Sequence, residues 1–224
     1  MRRLYAIVSC DVVDSTSLQE NELLQLRKAI YADLFSDLAL VSSDFWGRVV
    51  RGDTIESCID EPWHAFRIAL LMKCWFKKWA FGHDASHFMK ECGIRYSIGI
   101  GTMRIVDKRE DFLDGEAIYI AGRNLDYIYT NGYSSMFGFS SENTDIESLI
   151  TTNLRLIDNM IDSFTERQCL VIYYKLLGWR EVEIAKELSA SQAAVNLRAK
   201  SAGWQLIRNA IGVLEKIKFE DYVD

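Results

Sequence analysis

Two carboxylates in this sequence stand where strands end. Asp11 closes the apolar run Tyr5-Ala6-Ile7-Val8-Ser9-Cys10, and Asp53 follows Arg51-Gly52 between two runs of alternating apolar and polar residues. Glycine permits the positive φ of a tight turn, so Arg51-Gly52-Asp53 reads as a hairpin that pushes the Asp53 carboxylate out at a sheet end. If the two strands are neighbours, Asp11 and Asp53 converge. A divalent cation, Mg²⁺ or Mn²⁺, and a nucleotide phosphate need that arrangement. Asp14, Ser15 and Thr16, directly after Asp11, and Arg51, beside Asp53, are the candidate nucleotide contacts. The plainer alternative is that Asp53 is an ordinary turn residue, since Asp is common in hairpins.

The elements that must position these groups follow from periodicity. Residues 4–13 form a short apolar run and read as a buried strand. Ser15 or Ser17 is placed to cap the helix that follows. Leu23, Leu26, Ile30, Leu34 and Leu38 recur at helical spacing over residues 22–41. After the hairpin, Pro62 sits where a first helical turn tolerates it, and a helix runs to about Phe81. Its aromatics, Trp63, Phe66, Trp75, Phe76 and Trp79, read as core. Residues 82–93 read as a loop holding at most a helical turn. Ile94-Arg95-Tyr96-Ser97-Ile98-Gly99-Ile100-Gly101 alternates as a strand, with Gly99 and Gly101 on a face where a Cβ would crowd a neighbour. Residues 107–114 read as a loop, 115–129 as a helix and 135–140 as a strand. This order predicts an α+β fold, a ferredoxin-like sheet, mostly antiparallel, with helices on one face.

Past Ser141-Glu142-Asn143-Thr144 the pattern is helical throughout, which predicts two domains, 1–142 and 143–224. Helices are expected over residues 145–162, from a Thr165 cap with Gln168 at capping-box distance, over 181–188, and over 192–217 as one long helix.

Composition limits the function classes. The chain has 224 residues, 49% hydrophobic and 26% charged, as in ordinary globular proteins. Its net charge of -6 argues against coating nucleic acid through bulk charge. The five cysteines include no CxxC pair and read as reduced thiols. No apolar run approaches a membrane span, and a cytoplasmic location is expected. His83 and His87 are four apart but lack the further ligands of a zinc site.

Thr165-Glu166-Arg167-Gln168, Gly178, Glu183-Ile184-Ala185-Lys186-Glu187-Leu188 and Ser191-Gln192-Ala193-Ala194-Val195 resemble the helix-turn-helix of sigma-factor region 4. That resemblance implies a recognition helix beginning at Ser191, with Ser191, Gln192, Asn196, Arg198 and Lys200 as candidate DNA contacts. Ala185 is small enough for close helix approach, and Arg198, Lys200, Arg208, Lys216 and Lys218 give a local basic bias. Glu181, Glu183 and Glu187 oppose it. A bundle used for dimerisation is the alternative.

Asp11-Val12-Val13-Asp14-Ser15-Thr16, Gly52-Asp53, Ile98-Gly99-Ile100-Gly101 and Gly115-Glu116-Ala117-Ile118-Tyr119-Ile120-Ala121-Gly122-Arg123 together resemble class III nucleotide cyclases. The resemblance implies that Asp11 and Asp53 hold two metal ions and that Arg123 stabilises phosphate charge as a catalytic residue. It also implies a homodimer, because cyclases of this class usually build the site between two chains. Tyr119 stands at the family's catalytic Asn position, Val49 at its base-selecting position, and Asp111 is one residue out of step with its base-contacting Asp. The same motifs, with Asp114-Gly115-Glu116-Ala117 and the C-terminal helices, are similar to the SatD family over nearly the whole chain. Two readings follow: a DNA-binding regulator whose cyclase-like domain binds a nucleotide, or an active cyclase or nucleotidyl transferase.

Overall fold

The computed structural model describes residues 3–140 and 144–222, apart from the side chain of Arg51. The 142/143 boundary therefore lies outside the described residues. The strands are β1 (Leu4–Val12), β2 (Trp46–Arg51), β3 (Thr54–Ile59), β4 (Ile94–Asp107), β5 (Phe112–Gly115) and β6 (Ser135–Phe139). The helices of the first part are α1 (Glu20–Ala29), α2 (Phe35–Ala39), α3 (Ala65–Phe81), α4 (His87–Cys92) and α5 (Glu116–Asn131). Those after the sheet are α6 (Thr144–Asp162), α7 (Glu166–Leu176), α8 (Glu181–Glu187), α9 (Gln192–Ser201) and α10 (Trp204–Leu214).

The sheet runs β2-β3-β1-β4-β5, with β6 also on β4. Four of its pairings are antiparallel and β6 lies parallel to β4. The outer edge of β4 is shared along its length. Tyr96–Ile100 pair with β6, and Met103–Asp107 pair with β5. All of β5 but Gly115 falls within the stretch expected to be a loop. Its four residues are too short for a periodicity to register.

Helices cover both faces of the sheet, not one. Ala6, Val8, Cys10, Tyr96, Ile98 and Ile100 join α1, α3, α6 and α7 in one core. Ile7 on the opposite face packs with Ala117 and Ala121 of α5. Every β4 residue from Tyr96 to Gly101 is buried, so this stretch of the strand has no solvent face. The glycines make the second layer possible. A Cβ on Gly99 would lie 2.4 Å from the Ala117 carbonyl oxygen and 2.6 Å from the Ala121 nitrogen.

Local capping departs from expectation in one place that matters. α1 is capped by Gln19 in a box with Glu22, not by Ser15 or Ser17. Ser15–Ser17 instead form a 3-10 turn opened by Asp14 at φ 57°. That frees the Ser15 hydroxyl for Asp53. α1 continues through one π turn, Ile30–Leu34, into α2. The Thr165 cap and its Gln168 partner form as expected. The long C-terminal helix does not: it breaks at Gly203, φ 69°, into α9 and α10. The C-terminal helices divide between two cores: Val171, Ile184, Ala185, Val195 and Ala199 of α7, α8 and α9 form a small cluster of their own, and the rest join the sheet. Ile150, Leu154, Ile172, Leu176, Ile207 and Phe219 belong to the same apolar cluster as Leu4 and Phe66. The described residues include no helix long and apolar enough to cross a membrane.

Candidate functional site

The hairpin and β1 bring the two carboxylates to one sheet end. β1 is antiparallel to β3 with Asp11 opposite Thr54, and the Val12 amide donates to the Asp53 carbonyl at 3.3 Å. Gly52 takes φ 45° at the turn, as the tight connection requires. The Ser15 hydroxyl donates to the Asp53 carboxylate. Asp11, Asp53 and Ser15 are all half-buried, while Asp14 and Thr16 are exposed on the adjoining turn. The side chain of Arg51 lies outside the described residues.

The electrostatics record the crowding. The Asp11 carboxyl is pushed up to about 6, first by burial, then by the Asp53 charge, against the opposing pull of Arg95. Arg95 is the residue that motif reading missed. It sits opposite Asp11 in the β1–β4 register. The signal was present: Arg95, Ser97, Gly99 and Gly101 share one parity along β4, so they share one face. What was lacking was the knowledge that β1 and β4 are neighbours.

The donor set suits a cation that brings its own remaining ligands. Among the described residues no three His, Cys, Asp or Glu side chains gather into a metal cage. Mg²⁺ is ordinarily held through one or two carboxylates plus substrate phosphates and water, so a carboxylate pair beside a hydroxyl and an open turn fits such an ion.

Arg123 is not drawn to the pair. It is exposed on α5, and its Nε donates to the Tyr119 carbonyl one turn back at 3.2 Å. Tyr119, at the position of the cyclase Asn, donates its hydroxyl to Asp114, whose other oxygen accepts from Arg104 Nε. These bonds hold the Asp114 carboxyl below its ordinary range, Tyr119 contributing first. The three residues line a cavity of about 560 Å³ beside the start of α5. Val49 is buried, and its amide donates to the Tyr31 hydroxyl at 3.1 Å. Asp111 is exposed, with its carbonyl taken by Arg48.

In the C-terminal helices, Ser191 caps α9 by accepting from the Ala194 amide at 3.2 Å. Gln192, Asn196 and Lys200 follow at four-residue intervals on an exposed face. Arg198 does not join them. It is half-buried, on the far side of the seam formed by Val195 and Ala199. Two of the three opposing acids are neutralised locally. Glu181 pairs with Lys175 at 2.8 Å and accepts from Asn196, and Glu183 pairs with Arg180 at 2.7 Å.

No protein-family model matches the chain, and no curated protein matches it. Solved structures do. An adenylate/guanylate cyclase/hydrolase from Silicibacter pomeroyi is 26% identical, over 57% of this chain and 71% of that one, with a TM-score of 0.41. A bacterial light-regulated adenylyl cyclase is 16% identical over 61% of this chain and 43% of its own, with a TM-score of 0.44. A second structure of a bacterial light-regulated adenylyl cyclase is 15% identical over 61% of this chain and 76% of its own, with a TM-score of 0.42.

Proposed function

We propose that the chain binds a nucleoside triphosphate through a divalent cation, Mg²⁺ or Mn²⁺, held by Asp11 and Asp53. The single observation that carries this is the convergence of the two carboxylates, with the Asp11 carboxyl raised to about 6. Like charges in one place cost free energy unless a proton or a cation offsets them. The cation supplies charge for the phosphates. Asp11 and Asp53 bind and orient it, the Ser15 hydroxyl fixes the Asp53 carboxylate, and Asp14 and Thr16 line the approach. Arg51, beside the turn, completes the proposed nucleotide contacts.

The residues favour binding over turnover. Tyr119 is tied to Asp114, where the cyclase resemblance asks for a free Asn amide. Val49 offers a base no side-chain hydrogen bond. Arg123 is exposed and bonded to the Tyr119 carbonyl of its own helix, with no ion pair to Asp11 or Asp53 among the described residues, and because the cyclase resemblance builds the site between two chains, we infer a homodimer. The test is binding and turnover with Mn²⁺ and each labelled triphosphate. Saturable binding lost in Asp11→Ala and Asp53→Ala, without product, supports a sensor. Product that those variants abolish supports the cyclase or nucleotidyl transferase instead. Binding unchanged in both variants defeats the site.

A second reading concerns α8 and α9. Gln192, Asn196 and Lys200 share an exposed face headed by the Ser191 cap, and Lys175 and Arg180 offset Glu181 and Glu183. We propose that this face contacts DNA, which makes the chain a nucleotide-responsive transcriptional regulator. Arg198 takes a flanking phosphate contact at most. A gel shift with fragments of the protein's own promoter should give a complex that weakens with salt. A mobility unchanged by Lys200→Ala and Gln192→Ala removes α9 from the contact.

A further inference from the structure

A second cavity opens where α4, the start of β4, the turn before β6 and α6 meet, with a volume of about 330 Å³. That is at the small end of the range for small-molecule sites. Two guanidiniums line it, Arg95 from β4 and Arg155 from α6, both half-buried. Arg155 donates through Nε to the Ser135 carbonyl at 3.1 Å and lies over the Tyr133 ring at 3.7 Å. Arg95 lies over the Tyr129 ring at 5.9 Å. Stacking and the Nε bond fix the Arg155 plane and leave the rest of its fork to meet a ligand.

The charge in this wall is offset only in part, by the Asp11 carboxylate that Arg95 faces across the β1–β4 register. Among the described residues, neither Arg95 nor Arg155 forms an ion pair with a carboxylate. The carboxylate that does line the cavity, Asp162, is engaged by the buried Lys73 ammonium at 2.9 Å. Its neighbour Asp158 accepts from the Tyr96 and Ser134 hydroxyls, each at 3.0 Å. Asp11 stands across the strand from Arg95 and lies on the sheet, not in the cavity lining. Two half-buried cations on one concave wall are the complement of an anion with several acceptor oxygens. Phe88, nearly half exposed, and the Tyr133 ring give the same cavity an apolar side.

We propose that this cavity binds a small organic phosphate, its phosphate held by Arg95 and Arg155 and its organic part against Phe88 and Tyr133. The inference does not rest on the metal reading. Its test is calorimetric titration of the full chain, without divalent metal, with adenosine 5′-monophosphate, ribose 5-phosphate, inorganic phosphate and adenosine. At least one of the two organic phosphates should bind, and the two distinguish a nucleotide from a sugar phosphate. Inorganic phosphate should bind at least about tenfold more weakly, and adenosine not at all. Arg155→Ala should weaken the bound phosphate about tenfold or more, by loss of a charge-assisted pair. Because that variant also loses the Ser135 tie, Arg155→Lys and Arg95→Lys are the folded controls. Each keeps the charge, loses the fork and should weaken binding less. Asp53→Asn should leave the affinity unchanged. Adenosine binding as tightly as its monophosphate, inorganic phosphate binding as tightly as either ester, Lys and Ala variants that bind unchanged, or loss of binding in Asp53→Asn would each overturn the proposal.

Discussion

Asp11 is half-buried beside a second carboxylate, and its pKa of about 6 stands above the ordinary 3.8. A carboxyl raised in the folded state favours folding while it is protonated. That contribution is complete below the unfolded value and is lost as pH rises through the folded one. On this group's account the metal-free protein should melt at progressively lower temperature between about pH 4 and pH 7. Asp11→Asn should flatten that slope, and melting curves across the pH range check it. A bound cation reverses the preference, because it takes the deprotonated carboxylate. Mn²⁺ affinity should therefore rise through about pH 6 with release of a proton. Calorimetry in buffers of different ionisation enthalpy reads that proton directly, and an affinity flat with pH would take Asp11 out of the coordination. The residue scale also separates what Arg95 and Arg123 do. Arg95 acts on Asp11 in its own chain, while Arg123 is turned to its own helix.

α5 lies close against the sheet because two glycines and two alanines let it. Gly99→Ala would drive a Cβ into the Ala117 carbonyl and the Ala121 amide, backbone atoms that cannot swing aside. It should cost about 3 kcal/mol in urea denaturation. Gly122 on the same helix is the internal control. A Cβ there meets nothing within 4 Å. Gly122→Ala should be neutral or stabilise by about 0.5–1 kcal/mol, from helix propensity alone. If the two variants denature alike, close helix–sheet approach is not what Gly99 provides. The helix break at Gly203 obeys a different rule. Its φ of 69° is a left-handed conformation that ends α9, so α10 can turn back onto α6 and α3.

One apolar core runs from the sheet into α6, α7 and α10, while α8 and α9 pack on α7 through a smaller cluster. Trp75, Phe76 and Leu71 of α3 lie in one cluster with Ile150, Ile161, Ile172 and Leu176. A polar network crosses the same seam. Lys73 of α3 is fully buried, 2.9 Å from Asp162 and 3.7 Å from Asp158 of α6. Burial opposes its charge, but the two carboxylates outweigh that and hold the ammonium above its ordinary range. Lys77 donates to the carbonyls of Glu91, Ile161 and Asp162. Lys73→Met would leave the carboxylates uncompensated and should cost about 3–5 kcal/mol. The whole chain should unfold in one transition. A fragment of residues 1–140 would expose the outer side of α3 and should bind a hydrophobic dye or aggregate. A soluble fragment with native circular dichroism and dye binding no stronger than that of the full chain would show that the sheet layer folds without α6 and α7.

Local signals settled a good part of this chain. A short apolar run marked β1, alternation marked the β2–β3 hairpin and β4, three- and four-residue spacing marked α1, Pro62 marked the start of the α3 helix, and the Thr165 cap marked the start of α7. Asp11 and Asp53 were legible because strand ends and a Gly turn are written in adjacent residues. Other features depend on residues far apart in sequence. Arg95 is recognisable only when β1 and β4 pair, and Arg155 only when α6 packs beside β4. The second helical layer on the sheet follows from α5 docking on Gly99, and Ser15 reaches Asp53 because Gln19 takes the cap. Sequence by itself determined most of the strands and helices, though not β5 or the break at Gly203, and where the two carboxylates end their strands, since those follow from backbone geometry and short-range periodicity. Only the tertiary structure decided which side chains face one another across the sheet, because that is set by strand register and layer packing.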